Sequence, residues 1–106
     1  MQLQKISDRL LKLTIDETRS ATDSYVELVL LNQEMPVWHQ LLHECLGPPA
    51  KDAYVEPSAE IQALVDRHGG IRAEQTLFKQ DSDDGHVMAM LWPWGDQTRT
   101  TLKMWA

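Results

Sequence analysis

The chain has 106 residues, 42% apolar and 25% charged, with a net charge of −6, which is room for one domain around one core and argues against disorder. Its 10 basic residues are scattered, which excludes the clustered Lys and Arg on which a phosphate-backbone binder depends. The single cysteine, Cys45, excludes an internal disulfide framework and suits a reducing compartment. No apolar run approaches the ~20 residues of a membrane span, and no basic start followed by an apolar stretch marks a secretory signal, so no membrane partner and a cytoplasmic place are expected.

From Gln2 to Thr18 two periods compete. Leu3, Ile6, Leu10 and Leu13 form a stripe at helical spacing, whereas Leu11, Leu13 and Ile15 alternate as in a strand; the helical reading is favoured. Glu17 to Ser24 is polar and rich in turn formers, and reads as a connection. Tyr25 to Leu31 is an apolar run broken only by Glu27. Its length suits a buried strand, its leucines also suit a helix, and it is read as a fourth strand beside the C-terminal sheet.

Pro36 suits the first position of a helix, where its missing N–H has no partner to lose. Trp38, Leu41, Leu42, Cys45 and Leu46 then fall on one stripe, with His39, Gln40, His43 and Glu44 opposite. Gly47, Pro48 and Pro49 stop it. Pro57 opens a second helix, with Ile61, Leu64, Val65 and His68 on its stripe and Gly69 and Gly70 at its end.

Residues 71–105 form three extended runs separated by Asp81–Gly85 and by Gly95, Asp96 and Gln97, the layout of an antiparallel meander. In the middle run His86, Met88, Met90, Trp92 and Trp94 share one side, and Val87, Ala89, Leu91 and Pro93 the other. Both sides are apolar, so both need cover. In the last run Thr100, Leu102 and Met104 oppose Arg99, Thr101, Lys103 and Trp105. That mixture predicts an edge strand blunted by charge. Pro93 removes one ladder donor, so pairing should fail or bend there and turn Trp92 and Trp94 into different surroundings.

The chemistry-bearing residues form few patterns. His39 and His43 stand four apart on a helix, the spacing of two ligands to one ion, but zinc wants three or four, and a solvated polar face is the favoured reading. His68 reads as a helix-end cation facing the dipole. Asp81–Gly85 starts like a calcium loop, yet His86 and Trp92 stand where that loop needs Gly and Glu, so it reads as a hairpin turn. There is no Gly-rich phosphate loop and no nucleophile motif. No cofactor is implied and no catalytic residue is assigned. Four tryptophans stand out, because each buries roughly 150–250 Å², worth about 4–6 kcal/mol at ~25 cal/mol/Å². Rings of that size must pack against something: the domain's own core is the first reading, a partner surface the second and a pocket for a flat apolar ligand the third, with Trp92, Trp94, Trp105 and His86 as the candidate ligand or partner surface.

The expected fold is a single α+β domain over 1–106. It has a three- or four-stranded antiparallel sheet with the C-terminal meander at 71–105, and two or three helices, those near 36–46 and 57–68 on one face. The order strand, helix, helix and three strands is similar, in layout alone, to the βαβββ half-modules of the glyoxalase and extradiol-dioxygenase class. Tyr25 to Leu31 offers none of the histidine ligands those modules place at strand ends, and no family is assigned. The expected function is a small acidic non-catalytic interaction domain, self-associating as a homodimer through a sheet face or the Trp-rich strand end. The alternative is a small-ligand- or metal-binding domain, with or without enzymatic activity, whose cleft lies on the sheet face.

Overall fold

A computed structural model describes the chain except at Met1, Asp23, His68, Asp83 and Asp84, and gives Gln2, Gln4 and Ser82 by their backbone. The elements run α1 (Gln2–Leu10), β1 (Glu17–Ala21), β2 (Tyr25–Leu31), α2 (Met35–Leu46), α3 (Ala59–Asp66), β3 (Thr76–Ser82), β4 (Gly85–Pro93) and β5 (Arg99–Trp105). One antiparallel sheet holds all five strands in the order β1-β2-β5-β4-β3. The fold is therefore α+β, with the meander β3-β4-β5 intact. None of the described helices is long and apolar enough to cross a membrane.

The apolar periods place the helices. Leu3, Ile6 and Leu10 of α1 and Trp38, Leu42 and Leu46 of α2 pack onto Val26, Leu28, Leu30, Phe78, Val87, Ala89, Leu91, Leu102 and Met104, which all point to one side of the sheet. Pro36 lies within the first turn of α2, and Gly47, at φ 82°, ends it with its N–H donating to His43 O at 2.8 Å. In α3 the Ser58 hydroxyl accepts from the Ile61 N–H at 3.2 Å, closing the first turn.

The other side of β4 is covered too, by a different helix. Val65, with Ile61 and Leu64 beside it, packs on Leu77, Met88 and Met90. The two helices that share a face are thus α1 and α2. The helix over Ile61–Val65, expected beside α2, sits across the sheet from it. Its apolar stripe answers the second apolar side of β4, where Met88 is fully buried and Met90 1% exposed.

Three further expectations are corrected. The last run is the middle strand of the sheet, paired with β2 along its whole length and with β4 on the other side. Its Arg and Lys are tolerated there because long aliphatic stems lie along apolar neighbours while the charged ends stay wet. Glu17 to Ala21, read as a connection, is an edge strand on β2, mostly exposed and with an irregular register between Thr18 and Ser20. Exposure on both faces leaves no apolar alternation to read, and the irregularity and charges are what protect such an edge.

The third correction is the start of β3, at Thr76 rather than Ile71. The carbonyls of Arg72, Ala73 and Gln75 do not enter a ladder. They converge on the Lys51 ammonium, which donates to them at 3.0, 2.8 and 2.6 Å from a side chain in a residue only 3% exposed. The Gln75 side chain accepts from the Arg72 N–H at 2.8 Å, closing the same loop. Burial pushes the Lys51 pKa down, and three carbonyl dipoles offset the loss of water. Replacing Lys51 with Met leaves these acceptors without their shared donor. The expected loss is about 3 kcal/mol in urea unfolding, with faster amide exchange confined first to residues 71–76; unchanged stability would refute the clamp.

Candidate functional site

Strand register places a block of large side chains on the α3 side of the sheet, beyond the part that α3 covers. Across β2, β5 and β4 the pairs are Tyr25–Trp105–Met88, Glu27–Lys103–Met90 and Val29–Thr101–Trp92. Cross-strand partners point the same way, so Tyr25, Met90, Trp92, Lys103 and Trp105 share one patch. They line a cleft of about 340 Å³. Trp92 and Trp105 stand four residues apart in register, roughly 13 Å at ~3.3 Å per residue, with Met90 and Lys103 between them.

The electrostatics of the cleft follow from where one carboxylate goes. Glu27 faces Lys103 in register, the arrangement in which a cross-strand ion pair normally forms. Instead Glu27 accepts a hydrogen bond from the Tyr25 hydroxyl at 2.5 Å and pairs with Arg19 at 3.7 Å. The Lys103 ammonium leans over the Trp92 ring, 4.2 Å from its centroid, a cation–π contact. The Trp92 indole N–H is buried and has no hydrogen-bond partner among the described residues. A molecule entering the cleft therefore meets the ring of Trp92, not its donor.

Burial, the hydrogen bond to Glu27 and the charge of Glu27 together push the Tyr25 phenol up to about 12. It remains a neutral donor near neutral pH and is no base.

Trp94 lies at the next position along the same face. Its indole N–H donates to Thr101 Oγ1 at 2.9 Å, and the guanidinium carbons of Arg19 and Arg99 stand 5.9 and 5.8 Å from its ring. Arg99 is fixed by Asp16 at 2.7 Å. Pro93 is the last residue of β4, opposite Thr100. The expected loss of pairing does not occur there, since the Trp94 N–H donates to Arg99 O at 2.9 Å just beyond it. The proline thus separates two environments, a cleft wall at Trp92 and an arginine-flanked ring at Trp94. The turn after it is held by Asn32, whose side-chain N–H donates to Gln97 O at 2.8 Å and whose oxygen accepts from the Thr100 hydroxyl at 2.7 Å.

Of the residues singled out from sequence, Trp92 and Trp105 meet in one cleft and Trp94 adjoins it. His86 does not join them. It lies at the far end of β4, beside Glu60, Leu64, Arg67 and Lys79 under α3. His39 sets its ring edge against Phe78, with centroids 5.3 Å apart, while His43 is exposed. Among the described residues no three His, Cys, Asp or Glu side chains gather as a metal site. The helix-end reading of His68 lies outside the described residues. So does the tip of the acidic turn, Asp83 and Asp84, although Ser82 pairs with Gly85 as a tight hairpin requires. Tyr25, Met90 and Lys103 went unassigned in the sequence. The alternation of β5 already put Lys103 with Trp105, but nothing local announces that β2 lies beside them.

The raised pKa of Tyr25 has a definite sign. The folded chain holds the phenolic proton more tightly than the unfolded chain, so the stability it contributes is complete below pH 10 and is lost as the pH rises through about 12. Ultraviolet difference titration of the wild type against Tyr25→Phe should place the missing phenol near 12, and Glu27→Gln should draw it back toward 10. A midpoint near 10 in the wild type would show that Glu27 does not hold the hydroxyl.

Comparison with protein-family models, with characterised proteins and with solved structures finds no match to this chain.

Proposed function

We propose that this protein is a non-catalytic binding domain whose site is the aromatic cleft of Tyr25, Met90, Trp92, Lys103 and Trp105, and that its ligand is a small molecule with a flat apolar part. The observation that carries this reading is the cleft itself. Its volume of about 340 Å³ falls in the range of small-molecule sites, roughly 300–1,000 Å³, and its walls are rings with one or two polar groups among them, the usual make-up of such sites. Tyr25, the phenol in the wall, is engaged by Glu27 and stays protonated near neutral pH, which favours holding a ligand over transforming it. The free thiol of Cys45 fits a reducing compartment such as the cytoplasm.

Area arithmetic sets the expected strength. A two-ring molecule that buries about 150–250 Å² against these walls gains about 4–6 kcal/mol at ~25 cal/mol/Å². That corresponds to dissociation constants between about 1 mM and about 40 μM, before the costs of immobilisation.

A second reading keeps the same face but seats a second copy of the chain on it. Charge balance favours it. Arg19, Arg99 and Lys103 stand there against Asp16, Glu17 and Glu27, a neutral patch on a chain of net charge −6, and an isologous contact needs such self-complementarity. Need for cover does not favour it, since Met88 and Met90 are buried within one chain.

Titration with 2-naphthol, followed through the four indole N–H resonances in nuclear magnetic resonance, tests the first reading. The Trp92 and Trp105 signals should shift and the core Trp38 signal should not. Trp105→Ala should weaken binding about tenfold. Sedimentation at micromolar concentration separates the readings. A monomer with ligand-sensitive Trp92 and Trp105 supports the cleft, and a dimer dispersed by Lys103→Glu supports the second copy.

A further inference from the structure

We infer that Lys103 makes the cleft selective for planar ligands bearing a negative charge, such as aromatic carboxylates. The inference rests on the small-molecule reading above and adds the ligand's charge. Lys103 is the cleft's cation. The carboxylate opposite it in register, Glu27, is taken by the Tyr25 hydroxyl at 2.5 Å and by Arg19 at 3.7 Å. Its ammonium has no carboxylate within ion-pair distance among the described residues and rests 4.2 Å from the Trp92 centroid. Cation–π attraction at a partly exposed site is weak, about 0.5–1 kcal/mol, so an incoming anion has little to displace.

The remaining charges near the cleft do not cancel this cation. Arg19 and Arg99 flank Trp94, the next ring on the face. Asp16 and Glu17 are engaged by Arg99 and Arg19 at 2.7 and 3.5 Å. The chain's overall −6 repels anions at a distance, but at physiological ionic strength that field fades over about 8 Å. Within the cleft the ammonium is nearer than the excess acid elsewhere. A neutral or cationic ring gains only the walls; an anionic one gains the walls and the ammonium.

Three probes of one shape decide it: 2-naphthoate, 2-naphthylmethanol and 2-naphthylmethylammonium, titrated calorimetrically into the full chain at low and physiological salt. The expected result is naphthoate bound about threefold to fivefold more tightly than the alcohol and the amine weakest, with the margin narrowing as salt rises. Lys103→Met should erase the preference of naphthoate over the alcohol, whatever it does to the affinity common to all three probes, and Lys103→Glu should invert it. Melting temperatures of both variants within a few degrees of the wild type establish that the change is in the site. Equal affinity for all three probes in the wild type, or a preference that survives Lys103→Met, overturns the charge selectivity and leaves the cleft standing. If none of the three binds, the small-molecule reading itself falls.

Discussion

A single constraint shapes this domain: β4 is apolar on both faces and the chain must keep water from each. Val87, Ala89 and Leu91 are met by α1 and α2, and Met88 and Met90 by α3. The residues that close these two cores come from both halves of the sequence. The apolar layer on the first face is a continuous one, built from four of the five strands and two helices. The layer on the second is smaller, because α3 has only eight residues and packs over β3 and β4. Where that helix stops, side chains take over. Indoles from β4 and β5 lie half-buried over the sheet, and the same shortage of helix leaves the cleft between them.

This arrangement explains how a central strand tolerates Arg and Lys on one side. A charge sealed in a dry interior costs several kcal/mol. Here Lys103 and Arg99 keep their charged ends at the margin and lend their stems to the aromatic layer, with Trp92 and Trp94 as the surfaces they rest on. Lys51 is the contrasting case. It is buried, and its charge is tolerated because the loop at 72–75 bends three carbonyls around it. One lysine is held by what water leaves accessible, the other by what the backbone supplies in place of water.

The same distinction decides what could be read in advance. The helices α1 and α2, the strand β2 and the meander were legible because their signals are local: a stripe at 3.6 residues, an apolar run, a two-sided strand bounded by turns. The face chosen by α3, the central place of β5 and the strand β1 were not. Each depends on a long-range choice, and an edge strand with both faces in water leaves no trace in alternation. The mixed composition of β5 suggested an edge because a charged residue in a strand usually means solvent beside the backbone; here the solvent lies above the side chain. Two of the five residues that line the cleft were visible, Trp92 and Trp105. Tyr25 and Glu27 entered only once β2 was known to lie against β5, since their separation from Lys103 exceeds seventy residues of sequence.

That pairing also settles the character of the cleft, through a competition for one carboxylate. Lys103 has the register advantage, but Tyr25 lies on the same strand two residues away, and Arg19 approaches from the edge strand. A phenol held by a carboxylate gives a short charge-assisted hydrogen bond, and a second cation satisfies the other oxygen. Together they outbid the single exposed contact Lys103 could make, which is worth about 1 kcal/mol or less. The edge strand β1, polar and nearly featureless in sequence, thus acts on the site from the next strand over. By bringing Arg19 to Glu27 it leaves the Lys103 ammonium to the Trp92 ring, and the rings that shield the sheet stand as the packed walls of the cleft.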